Sequence, residues 1–425
     1  MLVPWLAVSV AAPLHFAITQ SPLQMIARND DEHVSLFVPT FERDLCSLTY
    51  LARSVAAMDP GAEVISDVHI AWVSREPLEK YYGAMDEVAR AFGQRHVFVS
   101  MPTMDVDMRG WFLQQAAKLE AASRMRTRDF VVVDSKDVFT RPLNSTTFYD
   151  GNGHVKLALP RAPRPWPEIG LYSGWYAAAQ RLLNVSLPAD LILPDSITPA
   201  VLKTNTASAL VDALAQRFGS VAAAIQHSMI SGGGKSGNVA TESALEPRTR
   251  TSAQLAQTAR RVEAHAVRTA QSTRHCVRVR CRFALYFTTF VASHGGADAW
   301  RQATHGRIDK FAMWEGDAQP DSGLLTDSSR RQLERMARGE QDAFPTVLSV
   351  HTALRFLLSP QGRDDFTNLL RSALAQLGLT HANDDDDLRS MCMLSATRFW
   401  EAERRLHPKE MSEAQERGML FTNVY

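Results

Sequence analysis

The chain is poor in cysteine, in net charge and in long apolar runs, and each shortage removes a class of explanation. Four cysteines in 425 residues, Cys46, Cys276, Cys281 and Cys392, are too few for a disulfide scaffold. Cys276 and Cys281 either pair or stay reduced, but a C-x4-C spacing flanked by arginines is a poor metal signature. Lysine plus arginine and aspartate plus glutamate both number 46, so nothing in the balance points to nucleic acid or to a strongly anionic partner. Hydrophobic residues at 45% and charged residues at 22% are ordinary globular composition. The length is ample for a large core, built as one extended domain or as two.

The main apolar stretch of any length is Met1 to Thr19, with His15 its ionisable side chain. It lacks a positive n-region, contains Pro4 and Pro13, and is marginal in length for a membrane span. Residues 1–30 are therefore set apart as an apolar extension: a signal or anchor, or else a buried or unstructured leader. Any membrane association would run through this segment alone. Two sequons, Asn144-Ser145-Thr146 and Asn184-Val185-Ser186, weight the secretory pathway or Golgi modestly over the cytoplasm.

From residue 34 to 133 the pattern alternates. Val34 to Pro39 reads as a buried strand, and Glu42 to Met58 as a helix with Leu45, Leu48, Leu51 and Val55 on one face. Strand Val68–Val73, helix Leu78–Phe92, strand His96–Val99, helix Arg109–Arg126 and strand Phe130–Val133 follow. Strands alternating with helices of this length indicate βαβ units and a mostly parallel sheet flanked by helices, an α/β fold.

Beyond Arg141 the signals change. Pro160 to Pro167 is too rich in proline for anything but an extended loop. Thr198 to Phe218 reads as a turn and a helix, and Ser231 to Thr251 as a mobile glycine-rich insertion. Within it, Gly232-Gly233-Gly234-Lys235-Ser236 imitates a P-loop, but Met229 stands where the first glycine belongs and no strand precedes it. Ala253 to Thr273 reads as a polar helix, Phe283 to Val291 as a short aromatic-rich segment, and the chain from Ser328 onward as largely helical. The acid run Asp384 to Asp387 lacks the alternation and turn glycine of a calcium loop. The expected division is 1–30 extension, 31–300 α/β domain with an insertion near 231–251, and 301–425 helical region.

The chemistry concentrates at three places. The strand ending at Val133 runs into Asp134-Ser135-Lys136-Asp137, and ligands of open α/β sheets sit outside the carboxyl ends of strands. Carboxylates there hold a divalent cation against a diphosphate or orient a sugar; otherwise Asp134 merely opens a turn and Asp137 is solvated. The strand-to-helix crossing Pro39-Thr40-Phe41-Glu42-Arg43-Asp44 suits a nucleotide, though Thr40 or Glu42 equally caps the helix. On the third helix Gln114 and Lys118 share a face and Trp111 and Gln115 the next. Amides suit sugar hydroxyls and the indole offers a flat apolar face. The bland alternative is a core tryptophan beside solvated glutamines.

Together, Val38 to Asp44, Gly110 to Leu119 and Val131 to Pro142 resemble a poorly characterised glycosyltransferase-like family of the GT-A type. Thr198 to Leu202 and Arg282 to Tyr286 extend the similarity, which spans roughly residues 34 to 295 and is specific over its first 110. The resemblance implies a GT-A-like fold, a nucleotide-sugar donor across the ends of the first and fourth strands, and a glycan or other hydroxyl acceptor. It implies Asp134 as catalytic residue and metal ligand for Mn2+ or Mg2+. It implies Pro39, Thr40, Glu42, Trp111, Gln114, Gln115, Lys118, Lys136, Asp137 and Tyr286 as substrate-binding residues. Two departures qualify this. Lys136 stands where an Asp-x-Asp motif has its second acid, so either other ligands hold the metal or Lys136 itself neutralises phosphate as a point charge. Arg282 stands where similar proteins carry an acid, leaving Asp195 as the substitute base. A catalytically inactive nucleotide-sugar or glycan-binding protein is the second expectation, and a nucleotidyltransferase the third.

Overall fold

The computed structural model describes residues 8–9, 33–74, 76–101, 110–158, 164–169, 171–194, 198–224, 282–293, 297–313, 317–319, 322–350, 354 and 358–380. The expected insertion (231–251), the polar helix (253–273), the acid run (384–387), Asp195 and the three cysteines at 276, 281 and 392 lie outside them, as do residues 10–32.

The strands are β1 (Val8–Ser9), β2 (Val34–Thr40), β3 (Ile65–Trp72), β4 (His96–Ser100), β5 (Asp129–Val132), β6 (Asp137–Phe139), β7 (Val155–Leu157), β8 (Ala200–Lys203), β9 (Thr304–Arg307), β10 (Lys310–Met313) and β11 (Val347–Val350). The helices are α1 (Leu45–Met58), α2 (Tyr82–Ala91), α3 (Gly110–Glu120), α4 (Ser145–Phe148), α5 (Leu171–Leu183), α6 (Thr204–Phe218), α7 (Arg282–Ser293), α8 (Ala297–Ala303), α9 (Asp327–Ala337) and α10 (Pro360–Gln376).

The central sheet has the order β1-β4-β3-β2-β5-β8. The four inner strands β4, β3, β2 and β5 are parallel, and β1 and β8 pair antiparallel at the edges. This is the expected α/β architecture with a mainly parallel sheet flanked by helices. Strands β2 and β5 are buried along their whole length, as strands covered on both faces must be. Leu45, Leu48, Leu51 and Val55 of α1 are all buried, so the helical period read from the sequence is the packed face. Helix α1 packs on α2, while α3 and α7 gather around α6. The resulting core runs from Val34 through the sheet to Trp300 and Val347.

Chain order matters for function. The chain enters at β2, steps outward through β3 and β4, then returns to the other side of β2 as β5. Between β2 and β5 the strand order therefore reverses, and the crevice outside their carboxyl ends is where such sheets take ligands.

The region beyond Arg141 departs from expectation. Thr198 to Phe218 is not only a turn and helix: after a cis Thr198–Pro199 bond, Ala200–Lys203 forms the antiparallel edge strand β8. Four residues after a proline are too few to show alternation. Phe283 to Val291 is the body of helix α7, with Tyr286, Phe287, Phe290 and Val291 buried at helical spacing. The described residues between 301 and 380 are not purely helical. Strands β10 and β11 join β6 in a second sheet, β10-β11-β6, and β9 pairs in parallel with β7. A smaller core around Met313, Leu333, Phe344 and Phe366 packs beneath α9 and α10. None of the described helices is long and apolar enough to cross a membrane.

Candidate functional site

Strand β5 delivers the site. Its ladder with β2 continues one step past the strand, where Val133 N donates to Phe37 O at 3.0 Å. The chain then turns: Asp137 N donates to Asp134 O at 2.9 Å, and the Asp137 carboxylate accepts from Asp134 N at 3.0 Å. One residue thus closes both sides of the turn that presents Asp134.

Six charged side chains meet here in three pairs. Lys118 of α3 donates to Asp134 Oδ1, Lys310 Nζ lies 3.2 Å from Asp137 Oδ1, and Lys136 Nζ lies 3.8 Å from Asp44 Oδ1. Hydroxyls and a carbonyl join them. Thr198 Oγ1 donates to Asp134 Oδ2 at 3.2 Å, Ser135 Oγ donates to Asp44 Oδ2 at 2.6 Å, and Lys310 also donates to Thr198 O. Burial separates scaffold from working surface. The side chains of Lys118 and Asp137 are 1% and 0% exposed, whereas Asp134 is 44% and Lys136 22% exposed. Of this cluster, Asp134 and Lys136 are the members that most clearly face solvent. Beside them Glu42 ties the ends of β2 and β3 by accepting from Ser74 Oγ, with Arg43 3.7 Å away.

The site residues expected from the sequence are distributed unevenly. The structure brings Asp134, Lys118, Lys136 and Asp137 together, two of them in roles other than expected, and leaves Glu42 at the neighbouring strand end bonded to Ser74. Asp137 is neither solvated nor open to substrate; it is the buried clasp of the turn. Lys118 is buried as the counter-charge of Asp134 rather than sharing an open face with Gln114, which is half-buried one turn away. Pro39 and Thr40 are buried in β2, so they shape the strand end without forming a contact surface. Thr40 Oγ1 has no hydrogen-bond partner among the described residues.

Tyr286 is a correction. Its hydroxyl accepts from Lys203 N at 2.6 Å, and Lys203 pairs with Asp129 at the start of β5. Asp134 is five residues further on, roughly 17 Å at the rise of a strand. Tyr286 is 2% exposed, and burial pushes its phenol well above the ordinary value. It anchors α7 to β8 at the wrong end of the sheet to touch substrate. The side chains of Trp111 and Gln115, like Asp195 and Arg282, lie outside the described residues.

Four partners escaped the sequence reading: Asp44, Ser135, Thr198 and Lys310. Asp44 and Ser135 sit inside motifs already singled out and were legible there. Lys310 is 173 residues from Asp137, and no local pattern announces it.

Among the described residues, the donor set at Asp134 is a single carboxylate with an ammonium partner. Divalent cations need several oxygen ligands, and no group of three acids, histidines or cysteines that could hold a metal occurs among the described residues. The Asp-x-Asp spacing missing at 134–137 does occur at Asp105-Val106-Asp107, in the link between β4 and α3 that lies outside the described residues.

Fold and site together define an open α/β protein with a cluster of charged side chains at its topological switch point. Residues 34–315 match the model of a family of unknown function, DUF6492, and the chain belongs to that family. No curated protein matches it. Among solved structures it is similar to the galactosyltransferase LgtC in complex with donor and acceptor sugar analogues, at TM-score 0.29 and 11% identity over 44% of this chain and 65% of that one. An active-site mutant of LgtC gives 0.30 and 10% over 45% and 69%. The bifunctional glycosyltransferase WbbM gives 0.29 and 13% over 44% and 35%. This chain thus spans less than two thirds of the first and third. Likeness this shallow does not transfer chemistry.

Proposed function

We propose that the protein is a glycosyltransferase that moves a sugar from a nucleotide-sugar donor to an acceptor hydroxyl. The observation that carries the proposal is that the most exposed carboxylate of the cluster, Asp134, and its most exposed cation, Lys136, stand two residues apart on the turn after β5, each held by its own partner, Lys118 and Asp44. The sequence resemblance to GT-A-type proteins at these same segments supports it.

Lys136 supplies positive charge to the donor diphosphate and to its departing form, where preorganised charge lowers the barrier most. Asp134, held by Lys118 and Thr198, has its orientation set in advance and accepts the proton of the acceptor hydroxyl. Glu42 and the end of β2 border the donor base. Gln114, with Trp111 and Gln115 on the same helix, borders the acceptor. No step is assigned to a metal.

The test is nucleoside diphosphate release by the full chain from a panel of nucleotide sugars. Asp134→Asn is expected to lower kcat by about 100-fold or more. Because that change also leaves buried Lys118 without its counter-charge, its melting temperature must be measured alongside. Lys136→Gln, which removes only a looser 3.8 Å contact to Asp44, is expected to raise KM and lower kcat with the fold intact. No turnover and no nucleotide binding across the panel would overturn the proposal.

A second reading, a catalytically silent nucleotide-sugar or glycan binder, is favoured by one specific observation: the candidate base is already engaged by Lys118. Calorimetric titration with nucleoside diphosphates separates the two. Binding that ignores Mn2+, with no hydrolysis or transfer, favours the silent binder. We also propose passage through the secretory pathway. Both sequon asparagines, Asn144 and Asn184, are exposed, and Cys46 is disulfide-bonded, as oxidising compartments permit. A mass decrease on enzymatic deglycosylation of the native protein checks this.

A further inference from the structure

A cavity of about 330 Å3 opens where the turn after β6 meets β7 and β9. Its lining includes Arg141, Lys156 and Arg307, with Asp309, Thr147 and Thr346. Three cations against one carboxylate is an unusual wall, because like charges held together repel unless something answers them. Within the lining Asp309 alone carries negative charge, and it forms no ion pair with them. Among the described residues none of the three forms an ion pair; Arg141 Nε donates to Phe344 O at 2.6 Å and Lys156 Nζ to Thr146 O at 2.6 Å. Arg307 Nε is buried and has no hydrogen-bond partner. A buried donor left unsatisfied costs about 1–3 kcal/mol, more on a charged group, and an acceptor entering the cavity would relieve that cost.

The backbone is shaped to hold these groups together. Leu157 of β7 pairs with Arg307 of β9. Gly306, at φ +73°, lets the Lys156 stem lie across β9: a Cβ there would meet Lys156 Cγ at 3.3 Å. Any other residue would be strained at that φ and would push the lysine aside.

We propose that this cavity binds a phosphomonoester, its dianionic phosphate held by Arg307, Arg141 and Lys156. Guanidinium groups offer forked donors matched to phosphate oxygens, and lysine adds a point charge. The excess of two positive charges answers a dianion. The volume is that of a small-molecule site, enough for the phosphate and a sugar-sized body, with threonine hydroxyls to meet it. The inference stands apart from the proposed transfer reaction, since it uses none of the residues around Asp134.

Titration of the full chain with inorganic phosphate and with glycerol phosphate, followed by calorimetry and 31P line broadening, tests it. Saturable binding is expected, weakened about tenfold or more by Arg307→Gln. Lys156→Gln, at a half-buried position, serves as the second variant should Arg307→Gln fail to fold. In a Lys136→Gln background, which removes any phosphate contact at the proposed donor site, this binding is expected to persist. Absence of binding at millimolar phosphate, or binding abolished by Lys136→Gln but not by Lys156→Gln, would overturn the assignment.

Discussion

Replacement of Arg95 by methionine is expected to destabilise the protein by about 3–5 kcal/mol, the loss typical when one partner of a buried ion pair is removed. Arg95 NH2 lies 2.7 Å from Asp59 Oδ2, and the two side chains are 0% and 3% exposed. Arg95 also donates to Phe92 O at 3.0 Å. Asp59 accepts from Glu63 N and Ile65 N, each at 2.9 Å. One salt bridge therefore joins the end of α1, the start of β3 and the approach to β4. Without the guanidinium, the carboxylate stays buried with backbone donors but no counter-charge. Adding Asp59→Leu is expected to restore only part of the loss, because the amides of Glu63 and Ile65 would then lack an acceptor. Urea unfolding should show the midpoint falling with little change in slope. The pair sits at the amino ends of the parallel strands, opposite Asp134, so ligand binding by the folded fraction should not change. A loss below about 1 kcal/mol would mean that water enters the pair, contrary to its burial.

That contrast between the two ends of the sheet explains what could be read in the sequence. The parallel strands were legible because both faces are covered: Phe130-Val131-Val132-Val133 has no polar residue to blur it. Helix α1 was legible because its buried positions keep one period. Asp134 and Lys136 were legible because a strand that ends in charge at its carboxyl side must expose something. What failed to show was pairing across long separations. Asp137 looks like any turn acid until Lys310 arrives from β10, and Tyr286 looks like a site residue until its hydroxyl is seen on the amide of Lys203. Periodicity reports which side faces the core, not which distant strand or side chain will come to meet it. The edge strand β8 was missed for a related reason, since it is short and its hydrogen bonds, not its composition, make it a strand.

The same logic predicts the behaviour of Asp137. Asp137→Ala is expected to cost about 3–5 kcal/mol by leaving Lys310, 5% exposed, without its carboxylate. It also removes the acceptor of Asp134 N, so the turn that presents Asp134 loses one of its two closures. The two consequences can be separated. In Asp137→Ala/Lys310→Met the uncompensated charge is gone, and most of the stability should return. The turn remains open on one side, so nucleotide binding should stay weak in the double variant even though its melting temperature recovers. If binding recovers together with stability, Asp137 serves only to neutralise Lys310. If neither variant loses as much as about 1 kcal/mol, the clasp is not holding the turn. If stability returns and binding does not, Asp137 positions Asp134, and the strand-end pair Asp134 and Lys136 works because a buried acid beneath it fixes the backbone.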